Sequence, residues 1–75
     1  MPDIEGSFNA HLPGREKEFC RHLVQGYKIY EIGFLMNIKE STAKTMSKNI
    51  HLRLGIFGHA KLIVYLLHHR TLYEE

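Results

Sequence analysis

The segment from Lys39 to Gly55, KESTAKTMSKNIHLRLG, constrains the fold most because it predicts one helix with two chemically different faces. Apolar residues recur in it at the three- and four-residue steps that place side chains on one side of a helix: Ala43, Met46, Ile50 and Leu54. That side is expected to face a core. Gly55 is expected to end the helix, because glycine adopts the positive φ common just after a helix.

The opposite face of this helix is basic and polar. It carries Lys44, Thr45, Lys48 and His51, with no acidic residue among these four, and Arg53 lies in the last turn near the negative end of the helix dipole. Ammonium and hydroxyl groups on one helix face suit phosphates and base edges. We therefore expect this face to contact DNA.

The rest of the composition limits the alternatives. A chain of 75 residues with 44% hydrophobic and 24% charged residues predicts one small folded domain. Its longest apolar runs are too short for a membrane span, so a cytoplasmic protein without membrane contact is expected. A single cysteine, Cys20, excludes an internal disulfide, and its apolar helical position favours a core residue over a nucleophile.

Charge is distributed unevenly along the chain. Residues 1–40 carry five basic and six acidic side chains, whereas residues 41–73 carry five basic and no acidic ones. A basic half on a near-neutral half is typical of a polyanion-binding surface, although a merely solvated basic face has the same composition.

Three further helices are predicted around the Lys39–Gly55 segment. The first begins at Arg15 and ends before Gly26, and the second lies within 27–36. In the second, Gly33 leaves room for another backbone to approach, and Asn37 with Ile38 forms the turn to the third helix. Residues 1–11 are expected to be a flexible leader, 12–70 the domain, and 71–75 a frayed end.

The fourth helix is predicted over 60–69 and has more apolar residues than one face needs. We expect Ala60, Ile63, Val64 and Leu67 to pack on the domain. The remaining apolar side is then available for self-association, which makes three residues the expected dimer contacts: Leu62, Tyr65 and Leu66.

The order of residues from Leu12 to about Leu67 resembles the DNA-binding domain of the LuxR/FixJ class, also called the GerE or NarL type. The resemblance is carried by Leu12 before Arg15-Glu16-Lys17-Glu18, Leu23 before Gly26, Glu31-Ile32, Ile38 before Glu40-Ser41-Thr42-Ala43-Lys44, Asn49-Ile50, and Leu54-Gly55. Each piece is weak alone, but their joint order and spacing form a strong signal.

The resemblance implies an all-α, four-helix (tetrahelical) helix-turn-helix domain whose third helix, about 40–54, enters the major groove. It also implies two-fold dimers through the fourth helix. In relatives, the positions matching Lys44, Thr45 and Lys48 face DNA, those matching Ser41 and Thr42 approach phosphates, and the glutamate matching Glu16 helps fix the scaffold. Arg53 is expected at most to contact phosphate.

The chain departs from the family pattern at three helix starts. Pro13-Gly14 replaces the usual Thr-Pro, and Lys28 and Lys39 stand where capping hydroxyls are expected. Each lost cap costs about 1 kcal/mol if nothing replaces it. We therefore expect these changes to affect stability more than DNA contact.

Two functions of different classes follow. The first is a sequence-specific transcriptional regulator that binds double-stranded DNA as a homodimer and contacts a related regulator or RNA polymerase. The second is a protein-interaction module that dimerises with a related LuxR-type regulator and inhibits it. The sequence shows no convergent acid–base residues, so an enzyme is not expected and no cofactor is predicted. His68 and His69 are adjacent and point in different directions on a helix, so no metal site is expected either.

Overall fold

The structure is a computed structural model that describes residues 12–74. Within this range the chain forms four α-helices and no strand: α1 (Gly14–Val24), α2 (Ile29–Leu35), α3 (Glu40–Leu54) and α4 (His59–His68). A short 3-10 helix, Arg70–Leu72, follows α4. The all-α prediction is confirmed, and the predicted bounds differ from these by one or two residues at most helix ends. The expected leader, 1–11, lies outside the described residues.

One core joins all four helices. α2 packs mainly on α3, while α1 contacts the other three helices. The core consists of buried side chains from every helix and from the segments that flank them: Leu12, Phe19, Cys20, Leu23, Ile32, Met36, Ala43, Ile50, Leu62, Leu66 and Tyr73. The predicted inner face of α3 is confirmed, with Ala43 and Ile50 fully buried and Met46 and Leu54 packed against them.

The turn between α2 and α3 has the predicted conformation. Asn37 adopts φ 58°, in the left-handed region that asparagine tolerates better than most residues. The Ile38 N–H donates a hydrogen bond to the Gly33 carbonyl at 2.9 Å. This bond closes the turn between the end of α2 and the start of α3. A Cβ on Gly33 would lie 3.3 Å from the Ile38 carbonyl oxygen and 3.5 Å from the Ala43 Cβ. Glycine therefore permits the close approach of α3.

The three predicted cap losses are present, and at one of these helix starts a different capping bond forms. No side-chain cap hydrogen bond forms at Pro13, Lys28 or Lys39. At the start of α2, however, the Lys28 backbone N–H donates to Glu31 Oε1 at 2.7 Å. This bond is the glutamate half of a capping box and satisfies the amide of Lys28 itself. The amide inside the first turn that a capping hydroxyl would accept from gains no partner from it.

The fourth helix packs mainly through a side that was not predicted. Of the four residues expected to pack on the domain, Ile63 contacts the core, whereas Ala60, Val64 and Leu67 are exposed. Leu62 and Leu66 are fully buried in the core, whereas Val64 and Leu67 are 53% and 50% exposed. Leu62 and Leu66 therefore cannot form a dimer surface without unfolding the domain. Tyr65 is half-buried and stacks on the His69 ring at a centroid distance of 4.1 Å.

The C-terminal segment is also different from the prediction. The expectation of a frayed end at 71–75 is wrong for the described part, because Tyr73 is buried and Arg21 donates to its backbone carbonyl at 2.6 Å. The bond fastens the chain to α1 after the 3-10 helix. Tyr73 thus extends the core beyond the predicted domain boundary at residue 70.

Among the described residues, no single helix is long and apolar enough to cross a membrane. Taken together, α3 and α4 would pass on length and composition, but the chain bends by 63° between them.

Replacing Gly33 by valine is expected to destabilise the fold by roughly 1–3 kcal/mol, because the added methyl groups enter the closest contact between α2 and α3. Urea unfolding followed by circular dichroism measures this. Gly14→Val is the matched control, since a Cβ at Gly14 meets no atom within 4 Å. Equal stability of the two variants would show that the contact is not tight.

Candidate nucleic-acid interface on α3

The outer face of α3 presents two lysines one turn apart. Lys44 and Lys48 are both exposed, with the Lys44 side chain 66% accessible. Glu40, one turn earlier, places its Oε2 atom 3.6 Å from Lys44 Nζ, whereas no acidic group in the described part of the chain lies within ion-pair distance of Lys48. A solvent-exposed pair at this distance is weak and yields readily to a phosphate.

Hydroxyl groups flank the lysines on the same surface. Thr45 is exposed between them, and Ser41 and Thr42 are exposed in the first turn. First-turn amides of a helix have no acceptor within the helix, so hydroxyls beside them can combine with these amides to hold a phosphate. The structure thus brings five of the six predicted DNA-contact residues to one continuous helix face and its first turn: Ser41, Thr42, Lys44, Thr45 and Lys48.

Arg53 is the exception. Its Nε donates to Glu16 Oε1 at 3.1 Å, and the Glu16 side chain is only 10% exposed. The pair ties the end of α3 to the first turn of α1, which agrees with the scaffold role expected for Glu16. Arg53 keeps 39% of its side-chain surface exposed, but its charge already serves this contact. The structure therefore favours a bracing role over the predicted phosphate contact.

His51 also has a structural partner. Its Nδ1 lies 2.7 Å from the Ile56 carbonyl oxygen, so the ring donates its Nδ1–H to the loop after α3. Gly55 begins the same loop. Its φ is 70°, and its backbone N–H donates a hydrogen bond to the His51 carbonyl at 2.8 Å, so the helix ends here as predicted. This arrangement fixes the bend between α3 and α4.

Sequence reasoning missed three exposed residues at this surface. Asn49 is exposed beside Thr45, and Leu52 and Phe57 are 57% and 63% exposed. Leu52 lies four residues after Lys48, a spacing that already predicts a shared helix face.

Leu52 and Phe57 line a shallow depression of about 460 Å³ at the C-terminal half of the basic face. Its walls are Lys44, Ser47, Lys48, His51, Leu52, Phe57 and Gly58. Cationic groups at its rim and apolar side chains within it can accept a phosphate together with a sugar or a thymine methyl group. The depression has no enclosed shape of the kind that holds a small-molecule substrate.

The described residues offer neither a group of metal ligands nor a reactive cysteine. Between residues 12 and 74 no three His, Cys, Asp or Glu side chains are placed to hold a metal ion. Burial, reinforced by the negative charge of Glu16, raises the pKa of the Cys20 thiol to about 12. This pKa leaves the thiol protonated at neutral pH and matches a core cysteine.

Comparison with known proteins adds nothing to this geometry. No protein-family model, curated protein or solved structure matches the chain. The LuxR-type assignment therefore stays a prediction from the sequence, and the site is judged on its residues alone.

Replacing Arg53 by alanine is expected to lower the free energy of unfolding by roughly 1–3 kcal/mol, because it leaves the buried Glu16 carboxylate without its partner. Urea unfolding at neutral pH measures the loss. Arg70→Ala is the matched control, because the Arg70–Glu74 pair is shorter, at 2.8 Å, but more exposed, at 68% and 43%. Its cost is expected to stay within about 1 kcal/mol. A smaller loss for Arg53→Ala than for Arg70→Ala would contradict the bracing role.

Proposed function

We propose that the protein is a cytoplasmic, sequence-specific DNA-binding regulator of transcription of the LuxR/FixJ type, with α3 as the recognition helix in the major groove. The observation that carries the proposal is the exposed basic face of α3. The opposite side of α3 packs on α2, where Gly33 allows the two helices to approach closely. A rigid helix pair of this kind lets the second helix project from the domain surface. The family named in the proposal rests on the resemblance of the sequence to the LuxR/FixJ class.

Each polar residue on α3 has a role in this proposal. Lys44 and Lys48 neutralise phosphates or reach guanine edges, and Thr45 contacts a base between them. Ser41 and Thr42 hold a phosphate at the start of the helix. Arg53 braces α3 through Glu16, so its effect on DNA is through the position of the helix.

A homodimer would use the exposed side of α4. Ala60, Val64 and Leu67 follow one another at four- and three-residue steps and are exposed opposite the buried Leu62 and Leu66. Two-fold pairing of this stripe would set two recognition helices on successive half-sites, roughly 34 Å apart. The proposed dimer contacts are therefore Val64 and Leu67, in place of the buried leucines.

The same α4 stripe supports the second candidate function. A protein-interaction module would pair this surface with the matching helix of a related regulator and inhibit it by forming an inactive heterodimer. In that case the α4 stripe would be essential, and the charge on α3 would be dispensable.

Removing both lysines, in a Lys44→Ala, Lys48→Ala variant, is expected to weaken binding to random-sequence duplex DNA by roughly 10- to 100-fold and to reduce the salt slope by about 2. Fluorescence anisotropy at several salt concentrations measures both quantities. Lys61→Ala, which removes one exposed charge from α4, is the control and should change affinity much less. Unaltered DNA binding in the folded double variant, or no binding by the native protein at low salt, would reject the proposal.

Placing charges on the α4 stripe, in a Val64→Asp, Leu67→Asp variant, is expected to abolish self-association while the domain stays folded, because both side chains are about half exposed. Sedimentation velocity measures the oligomeric state, and circular dichroism confirms the fold. Leu52→Asp is the control at a similarly exposed apolar residue outside α4. A native protein that remains monomeric at high concentration, with and without DNA, would reject the homodimer and leave the α4 stripe to a heterologous partner.

A further inference from the structure

The outer surface of α2 carries large apolar side chains that nothing in the described structure covers. Phe34 is 86% exposed, Tyr30 58% and Leu35 46%, and Tyr27, just before the helix, is 40% exposed. Leu35 lies on this surface, whereas Ile32 of the same helix is fully buried in the core. A contiguous apolar patch on a small domain is typical of an interaction site.

The patch is concave and has acidic edges. The four side chains form a groove of about 580 Å³ together with Glu31 and Glu40. Glu31 accepts one backbone hydrogen bond through Oε1, which is a fraction of what a carboxylate can accept. Glu40 keeps 58% of its side chain exposed in its weak pair with Lys44. Both charged groups that line the groove are therefore available to a cation.

This combination of groups selects the chemistry of the ligand. Aromatic rings beside carboxylates attract an arginine or lysine, through the ring faces as well as through the charges. A nucleic-acid backbone would meet like charges here. A second copy placed on the groove by a two-fold axis would add a second pair of acidic residues and no basic one from the groove, so its charges would not complement those of the first copy.

We propose that the α2 groove binds a segment of a partner protein, an amphipathic helix that carries a basic side chain next to large apolar ones. Phe34 and Tyr30 provide the apolar contact, and Glu31 and Glu40 bind the cation. This function is distinct from DNA binding, because Tyr30 and Phe34 lie on α2. The two surfaces meet at Glu40, which lines the groove and pairs with Lys44. One domain can then hold DNA and a protein at the same time.

The test uses the whole protein labelled with ¹⁵N and a synthetic amphipathic helical peptide made of leucine, alanine and arginine. Two matched peptides replace every arginine by glutamine or by glutamate. The arginine peptide is expected to shift the amide signals of Tyr27, Tyr30, Phe34 and Leu35, and to bind at least about 5-fold more tightly than the glutamate peptide. Raising the salt concentration should reduce this preference.

Two variants locate the contact. Phe34→Ala is expected to weaken the arginine peptide by about 5-fold or more, since it removes the most exposed ring without touching the core. Glu40→Gln should weaken the arginine peptide but not the glutamine peptide. Thr71→Ala, at an exposed residue that belongs to none of the proposed binding surfaces, is the control and should bind as the native protein does. The thermal midpoint of each variant shows that it is folded.

The outcomes separate this proposal from DNA binding. Phe34→Ala should leave DNA affinity unchanged, and the Lys44→Ala, Lys48→Ala variant should retain peptide binding. Equal binding of the arginine and glutamate peptides, or shifts that cluster on α4, would overturn the proposal. So would self-association that Phe34→Ala abolishes, because the occupant would then be a second copy, or a loss of DNA affinity in Phe34→Ala.

Discussion

The close approach of α2 and α3 at Gly33 is the contact on which the rest of the structure depends. Because glycine has no side chain, the Ile38 carbonyl and Ala43 can come within van der Waals distance of α2. The left-handed Asn37 turns the chain at this point, so α3 leaves the corner in one direction only. That direction decides which side of α3 is buried. Ala43 and Ile50 enter the core, and the face with Lys44 and Lys48 remains in solvent.

Ion pairs and hydrogen bonds at the helix ends further restrain the positions of the helices. Glu16 and Arg53 join the start of α1 to the end of α3, and His51 bonds the loop that leads to α4. Glu31 accepts a hydrogen bond from the Lys28 amide at the start of α2. Each bond restrains an end of a helix where backbone groups are otherwise unsatisfied. These bonds hold both ends of α3 in place around its exposed middle. A surface that selects among nucleic-acid sequences needs such fixed positions for its side chains.

The domain presents three surfaces of different chemistry. The basic face of α3 suits a polyanion, the stripe of Val64 and Leu67 on α4 suits another apolar helix, and the aromatic groove of α2 has acidic edges. Opposite charge on neighbouring surfaces matters, because a ligand attracted by one is repelled by the other. Under the two proposals above, the basic face of α3 would hold DNA and the α2 groove would hold a partner protein.

Much of the fold was determined by the sequence itself, because the relevant signals are local. The apolar spacing within α3, the glycine after it, and the Gly33 and Asn37 signals at the turn each constrain the few residues around them, and the structure agrees with all of them. The outward positions of Lys44, Thr45 and Lys48 followed from the same spacing, whereas Ser41 and Thr42 were predicted from their place at the helix start and from the family resemblance. Only the tertiary structure decided three other features: which side of α4 is buried, what Arg53 contacts, and that Tyr73 belongs to the core. On α4 both sides are apolar, so the choice of Leu62 and Leu66 over Val64 and Leu67 depends on where α1 lies. Arg53 and Tyr73 meet partners 37 and 52 residues away in the chain, and spacing along one helix carries no information about such distances.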